Sequence, residues 1–307
     1  MNLRSKYGKV AVVMGGDSSE REVSLMGGNA ILQALLDSGV DAHKFDPKEH
    51  PIYKLKEDGY DLAFLNTHGK HGEDGTLQGA LEYLQIPYTG SGVLASSVSM
   101  DKYRTKLIWQ AFGIPMPRGQ HVQNEKFNYN EFKLEFDLPV IVKPSCGGST
   151  VGLSKVYNLN ELEAAINLAF LYDNAALIEE FIFGDEYTIT VNEDKAYPIV
   201  KIEAPENNYD YEHKYFSDDT VYICPYDLGE VQPVVEKYAR LGYEALGARG
   251  VARLDFMIDK NNKIYFLELN TLPGMTGHSL VPMAFKAAGI DFAELCLHIL
   301  DGANLGG

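Results

Sequence analysis

Residues 251–270, VARLDFMIDKNNKIYFLELN, decide the fold class. Two apolar runs flank the polar stretch DKNNK, and Asn tolerates the left-handed backbone a tight turn requires, so the segment reads as a β-hairpin. Side chains alternate across a strand. Arg253 and Asp255 therefore share one face, and Ala252, Leu254, Phe256 and Ile258 share the other. In the return strand Glu268 and Asn270 share a face, with Tyr265, Leu267 and Leu269 opposite. Taking Asn261 and Asn262 as a two-residue loop sets Asp255 against Glu268 and Arg253 against Asn270. Like charges directly opposite one another, with Cβ atoms roughly 4.5–5.5 Å apart, are destabilising. Two carboxylates and an amide oxygen on one face thus call for a cation. Oxygen ligands alone suit Mg²⁺ or Mn²⁺ held jointly with substrate phosphates. The competing reading is a solvated outer face with an ordinary Arg253 salt bridge; agreement between both strands and the Gly-containing turn after Asn270 favours the metal face.

Working upstream, IVKPSCGGSTVG puts Lys143 at a strand end and Gly147-Gly148 in the following loop. Glycines let backbone N–H groups approach phosphates, and Ser149 and Thr150 add donors; a plain turn is the alternative. Lys precedes the glycines, so this is not a Walker A loop. Lys102, in MDKYRTK, is either a second phosphate contact or a solvated charge. Residues 205–225, PENNYDYEHKYFSDDTVYICP, carry no clear period, and a loop that long is usually functional. It holds Lys214 and Tyr215, which a lid would bring over a reactive phosphate.

The N-terminal third reads as strand, Gly-rich turn, helix, the opening of an α/β layer domain. A strand runs over 10–14, and Gly15-Gly16 follow. Ser19 and Glu22 are spaced as a capping box, Val23, Met26, Ala30, Ile31, Ala34 and Leu35 recur at helical spacing, and Gly39 is a stop. The turn lacks G-x-G-x-x-G, which argues against a nicotinamide site. Glu20 beside the helix start either holds an ammonium group or is an acid favoured by the helix dipole. A second strand is predicted over 61–66, then a His/Gly loop, then a helix over 76–85. His68 and His71 read as loop hydrogen-bonding residues, since no third ligand fits by spacing. Gly90, Ser91, Gly92 and the serines at 96, 97 and 99 mark a boundary, with a helix predicted over 99–112. After the glycine loop a helix is expected from Asn160, capped by Asn160 with Glu163, then a strand over 176–180. EYTITVN alternates at period 2. A helix follows over 233–246, and a last helical region starts near Ser279-Leu280, where free N–H groups can grip a carboxylate and Pro282 is tolerated in the first turn. Boundaries near 98 and 183 divide the chain into segments 1–98, 99–183 and 184–307.

Composition narrows the function classes. The 307 residues carry 27 Lys+Arg against 43 Asp+Glu, a net charge of -16, which argues against nucleic acid or an anionic membrane as partner. The 3 cysteines, Cys146, Cys224 and Cys296, form no CxxC and fit a reducing cytosol. No run of 18 apolar residues and no signal-like start appear, so neither membrane insertion nor export is expected.

Taken in order, GGDSSEREVSL, HGKHGEDGTLQG, MDKYRTK, VKPSCGGSTVGLSKV, EHKY, ARLDFMI and FLELNTLPGMTGHSLVP resemble the D-alanine–D-alanine ligases of the ATP-grasp superfamily across nearly the whole chain. The resemblance implies an α/β, three-domain ATP-grasp fold with an N-terminal open α/β domain, and ATP between the central and C-terminal domains. It implies a cytoplasmic, homodimeric enzyme that phosphorylates one D-alanine carboxylate and lets a second D-alanine attack the acyl phosphate. The product is D-alanyl-D-alanine for peptidoglycan precursors. By the same resemblance, Asp255, Glu268 and Asn270 hold two Mg²⁺ or Mn²⁺ ions. Lys102, Lys143 and Lys214 meet phosphates; Glu179, Phe181, Ile182 and Glu186 meet adenine and ribose. Arg253 and the Gly274 N–H stabilise the oxyanion. Glu20, linked through Ser149 to Tyr215, binds the first substrate's ammonium. His68 lies near that substrate, and Ser279 and Leu280 take the second carboxylate. Tyr215, where relatives making the D-alanyl-D-lactate depsipeptide tend to carry Phe, implies the dipeptide. Cys146-Gly147 departs from the Arg-Glu pair of some relatives and bears on loop rigidity. The rival readings are an ATP-grasp ligase for another acid and an inactive nucleotide-binding module.

Overall fold

The structure is a computed structural model, and it describes residues 3–148, 151–204 and 220–306. The expectations for Ser149, Thr150, Lys214 and Tyr215 lie outside the described residues. Three sheets follow one another along the chain. The first comprises β1 (Lys9–Val13), β2 (Asp41–Phe45) and β3 (Leu62–Leu65), all parallel, in the order β2-β1-β3. Its central strand is apolar because both faces are covered: Val10, Ala11, Val12 and Val13 are fully buried.

The second sheet contains β4 (Gly119–Gln123), β5 (Val140–Pro144), β6 (Ser154–Val156) and β7 (Ala175–Glu180), antiparallel, in the order β4-β7-β5-β6. The third is built on β8 (Gly184–Asn192), with β9 (Lys195–Ala196) paired to it, β10 (Val200–Glu203), β11 (Val221–Ile223), β12 (Val251–Asp259) and β13 (Ile264–Asn270). Its main path is β11-β10-β8-β12-β13. Ala252, Leu254, Phe256 and Ile258 of β12 point into one core with Trp109, Phe266 and Tyr243. At roughly 1.5–3 kcal/mol per buried large apolar side chain, that face anchors the hairpin and leaves its polar face to the cleft. Trp109, on the helix Lys102–Ala111, donates its indole N–H to the Gly242 carbonyl of the helix Gln232–Ala245 at 3.0 Å and meets Phe266 of β13 edge-on, so this helix packs on both. The last helix, Phe292–Asp301, returns to the N-terminal third of the chain and packs against the helix Arg21–Asp37. Among the described residues no helix is long and apolar enough to cross a membrane.

Several local expectations need correction. The hairpin loop is not the pair Asn261-Asn262: Asp259 pairs with Lys263, so three residues turn the chain, with Asn262 at φ 61°. A β-bulge between Asp255 and Phe256 absorbs the offset, because Phe256 pairs with Phe266 while Asp255 still faces Glu268 and Arg253 faces Asn270. The bulge reverses the phase of β13, so Ile264, Phe266 and Leu269 enter the core while Leu267 joins Glu268 in lining the cleft. Ser19 does not cap the first long helix. Glu20 occupies that position without a side-chain cap bond, and its N–H donates to Ser18 Oγ at 3.2 Å. Met26 faces outward, and Ser24, Gly27 and Gly28 take the buried face, because a Cβ on Gly28 would lie 2.5 Å from Met14 Cβ. Strand β2 was not expected. The predicted 99–112 helix runs over Lys102–Ala111, and a separate helix, Val93–Met100, precedes it; the two break where the Asp101 side chain caps Arg104 N–H at 3.0 Å. The later capping box is Asn158 with Glu161, not Asn160 with Glu163. Residues 221–223 of the expected loop form β11 on β10.

Candidate active site

A cavity of about 660 Å³ lies between the second and third sheets. Lys143 at the end of β5 and Glu179 on β7 form one wall; Asp255 and Met257 of β12, with Leu267 and Glu268 of β13, form the other. Lys102 begins its helix beside the glycine loop, its backbone N–H donating to the Ser145 carbonyl at 2.9 Å and its ammonium reaching the Gly147 carbonyl. Phe181 and Ile182, on the connection into β8, and Glu186, on β8 itself, line the same cavity, and Phe181 packs edge-on against Phe183 with centroids 4.8 Å apart. The space therefore has an aromatic end and a cationic end.

A second cavity, about 50 Å³, adjoins the first and shares Glu268 and Gly148 with it. Glu20, His68, Arg253, Asn270, Gly274, Ser279 and Leu280 all line it. These residues come from both ends of the chain: a helix start, a loop after β3, the paired strands and the turn that follows them. Gly69 is required here, since at its φ of 68° a Cβ would lie 2.8 Å from Glu20 Oε2. Ser279 precedes the helix Leu280–Ala287, and its Oγ accepts from Thr276 N–H at 2.9 Å, which holds the turn and leaves the helix start facing the cavity. Burial pushes the His68 imidazole toward its neutral form, against the pull of Glu20.

The electrostatics of the paired strands show how the acids are balanced. Asp255 is 5% exposed, so this face is not a solvated exterior. Arg253 clasps Asp255 through two bonds of 2.8 Å, Asn270 Nδ2 donates to Asp255 Oδ2 at 3.2 Å, and Lys102 Nζ lies 3.3 Å from Glu268 Oε2. The ordinary salt bridge and the acid pair thus coexist. Among the described residues no group of three or more His, Cys, Asp and Glu gathers as a self-sufficient metal cage. Two carboxylates and an amide fit a hard divalent ion that completes its shell with phosphate oxygens. The two histidines do not form such a site: His68 is buried beside the small cavity, and His71 is exposed.

Some residues at the site were not singled out from the sequence. Glu73 lines the small cavity and accepts from Gly69 N–H at 2.7 Å. Burial, reinforced by Glu20, pushes its carboxyl up to about 8. His278 lines the same cavity. Lys106, one helical turn beyond Lys102, pairs with Glu179 Oε1 at 2.5 Å, and Lys143 pairs with the other oxygen. Burial would raise the Glu179 carboxyl, but these two lysines hold it down at about 2. The i, i+4 spacing of Lys102 and Lys106 was the available signal for the last of these.

Comparison with known proteins adds to this geometry. The family model described as D-ala D-ala ligase C-terminus matches residues 108–301, and D-ala D-ala ligase N-terminus matches residues 40–91. The D-alanine–D-alanine ligase B of Chromobacterium violaceum is 51% identical over 302 residues, covering 98% of this chain and 99% of that one. The solved D-alanine–D-alanine ligase of Bacillus anthracis complexed with ATP superposes with a TM-score of 0.84 at 35% identity, covering 96% of both chains. VanG D-Ala:D-Ser ligase from Enterococcus faecalis gives a TM-score of 0.82 at 29% identity, covering 95% of this chain and 98% of that one.

Proposed function

The chain belongs to the D-alanine–D-alanine ligase family, and on that premise we propose that it joins two D-alanine molecules at the expense of ATP, for peptidoglycan precursors. The observation that carries the reading is the pair of adjoining cavities sharing Glu268: one large, with an aromatic and a cationic end, the other small enough for an alanine-sized acid. The adenine lies toward Phe181 and Ile182, with Glu179 and Glu186 at the base and ribose. Lys102 and Lys143 receive phosphates, joined by Lys214. Asp255, Glu268 and Asn270 hold two Mg²⁺ or Mn²⁺ ions. Bound there, these ions supply charge neutralisation between the triphosphate and the attacking carboxylate.

Glu20, braced through Ser149 to Tyr215, holds the first D-alanine's ammonium near His68, so its carboxylate faces the shared wall. That carboxylate oxygen takes the γ-phosphoryl group as the bond to ADP breaks. The second D-alanine is held by its carboxylate at Ser279 and Leu280. Its neutral amine attacks the acyl phosphate and loses a proton, and the tetrahedral intermediate expels phosphate as the amide forms. Arg253 and the Gly274 N–H carry the oxyanion charge in that step. Fixing both substrates against one wall supplies the orientation that a two-substrate condensation needs.

The same proposal includes divisions near residues 98 and 183; each sheet falls within one of the resulting segments, which supports it, although the helix Val93–Met100 straddles the first division. A cytoplasmic homodimer is part of the reading on family grounds. A D-serine-accepting ligase is the second reading, favoured by the VanG match alone. Purified protein with ATP, Mg²⁺ and a panel of D-amino acids tests both. D-alanyl-D-alanine formed with one phosphate released per dipeptide is expected. Preference for another acceptor, or no dipeptide at saturation, would remove the proposal.

A further inference from the structure

The helix Lys102–Ala111 presents two lysines one turn apart, and each reaches a different cleft carboxylate. Lys102 approaches Glu268 at 3.3 Å, while Lys106 pairs with Glu179 at 2.5 Å and donates to the Pro117 carbonyl at 3.0 Å. Lys106 is 8% exposed and does not line the large cavity, whereas Lys143, on the other oxygen of Glu179, does. Glu179 itself is 3% exposed. We propose that Lys106 is a positioning residue of the nucleotide cleft: it holds Glu179 from behind so that Glu179 holds, without neutralising, the Lys143 ammonium that faces the phosphates.

The charge count gives the reason. One carboxylate with one lysine is a neutral pair, which attracts a phosphate less strongly than a lysine left in surplus. A second lysine on the far oxygen, which Glu179 draws toward its charged form against the pull of burial, leaves the trio with a surplus positive charge, and of the two lysines on Glu179 it is Lys143 that opens on the cavity. The two lysines, from different elements, each approach a different oxygen of the carboxylate. Without Lys106, Glu179 Oε1 is buried beside no cation. The carboxylate then draws Lys143 onto both oxygens or takes up a proton, and either change weakens or misdirects the cation.

The inference rests on the cleft being the ATP site, and the test separates the two. Wild type, K106M, K106R, E179Q and K106M/E179Q are titrated with Mg-ADP by calorimetry, and KM for ATP and for D-alanine are measured separately. Thermal melts check that each variant is folded. K106M is expected to weaken ADP at least tenfold and to raise KM for ATP in step, with KM for D-alanine within twofold. K106R is expected to restore ADP affinity to within threefold of wild type. In the E179Q background K106M is expected to change ADP affinity less than twofold, because its target charge is gone. If K106M alone does not fold, K106M/E179Q is read against E179Q, since the double variant leaves no buried carboxylate unpaired, and a loss of ADP affinity above twofold there would overturn the proposal. A folded K106M that binds ADP within twofold of wild type, or an equal loss with and without E179Q, would overturn the proposal. Wild type that binds no ADP would overturn the ATP reading itself.

Discussion

Glu73→Gln is expected to stabilise the protein at alkaline pH and leave it unchanged in mild acid. The Glu73 carboxyl is pushed from 4.5 up to about 8 by burial and by Glu20. A raised carboxyl is favourable below its unfolded value, near 4.5, and that contribution is lost as pH rises toward the folded value. Between those limits the unfolded chain releases its proton and the folded chain retains it, so each pH unit costs the fold about 1.4 kcal/mol. At pH 7 the full penalty would be roughly 3 kcal/mol. Glu73 keeps some solvent contact, so screening reduces this to about 2 kcal/mol. Glutamine retains an acceptor for the Gly69 N–H, 2.7 Å away in the parent, and cannot ionise. Thermal melts of wild type and Glu73→Gln at pH 5 and pH 8 read the difference. At ~2–4 °C per kcal/mol for a chain of this class, the melting gap should widen by about 4 °C or more at the higher pH. A gap that is equal at both pH values, or that narrows at pH 8, would refute the burial argument.

Other expectations follow from the same contacts. Glu268→Gln removes a charge from the wall shared by both cavities; dipeptide formation should fall at least ~100-fold while the melting temperature stays within a few degrees, and near-normal turnover would count against the metal role. Glu179, held at about 2 against burial by Lys106 and Lys143, stabilises the fold above pH 4.5 by on the order of 3 kcal/mol, and this is lost as pH falls toward 2. An acid titration of wild type against K106M/E179Q should show the double variant losing less stability over that range; parallel curves would contradict it. Tyr215→Phe should raise use of D-lactate relative to D-alanine as acceptor, measured by competition; an unchanged ratio would remove the specificity argument.

The polar face of the hairpin was legible in the sequence because period-2 alternation constrains β12 along its whole length. The bulge was not, because adjacent Leu267 and Glu268 both facing the cleft looks identical to alternation until the turn is known to hold three residues. A two-residue loop with no bulge and a three-residue loop with one bulge both set Asp255 opposite Glu268, so the pairing holds although the loop is one residue longer than its spacing suggests. Strand β2 escaped because DAHKF is an edge strand whose exposed His43 and Lys44 break the apolar run. YNLNELE offers two Asn-to-Glu pairs at the same spacing, so the sequence alone does not separate Asn160 with Glu163 from the observed cap, Asn158 with Glu161. Met26 matched the helical period, yet the close approach of Met14 requires glycine on that face instead. Buried charge is the least legible feature: Lys106 and Glu179 are 73 positions apart, and nothing local in either stretch reports that they meet.

The most direct measurement is anomalous diffraction from crystals of the protein grown with Mn²⁺ and ADP. Manganese peaks bonded to carboxylate oxygens of Asp255 and Glu268 and to the Asn270 amide oxygen, at roughly 2.0–2.6 Å, and bridged to the diphosphate, are expected. Nucleotide density in the cleft with manganese absent from these three residues, and Arg253 still clasping Asp255 on both oxygens, would contradict the reading.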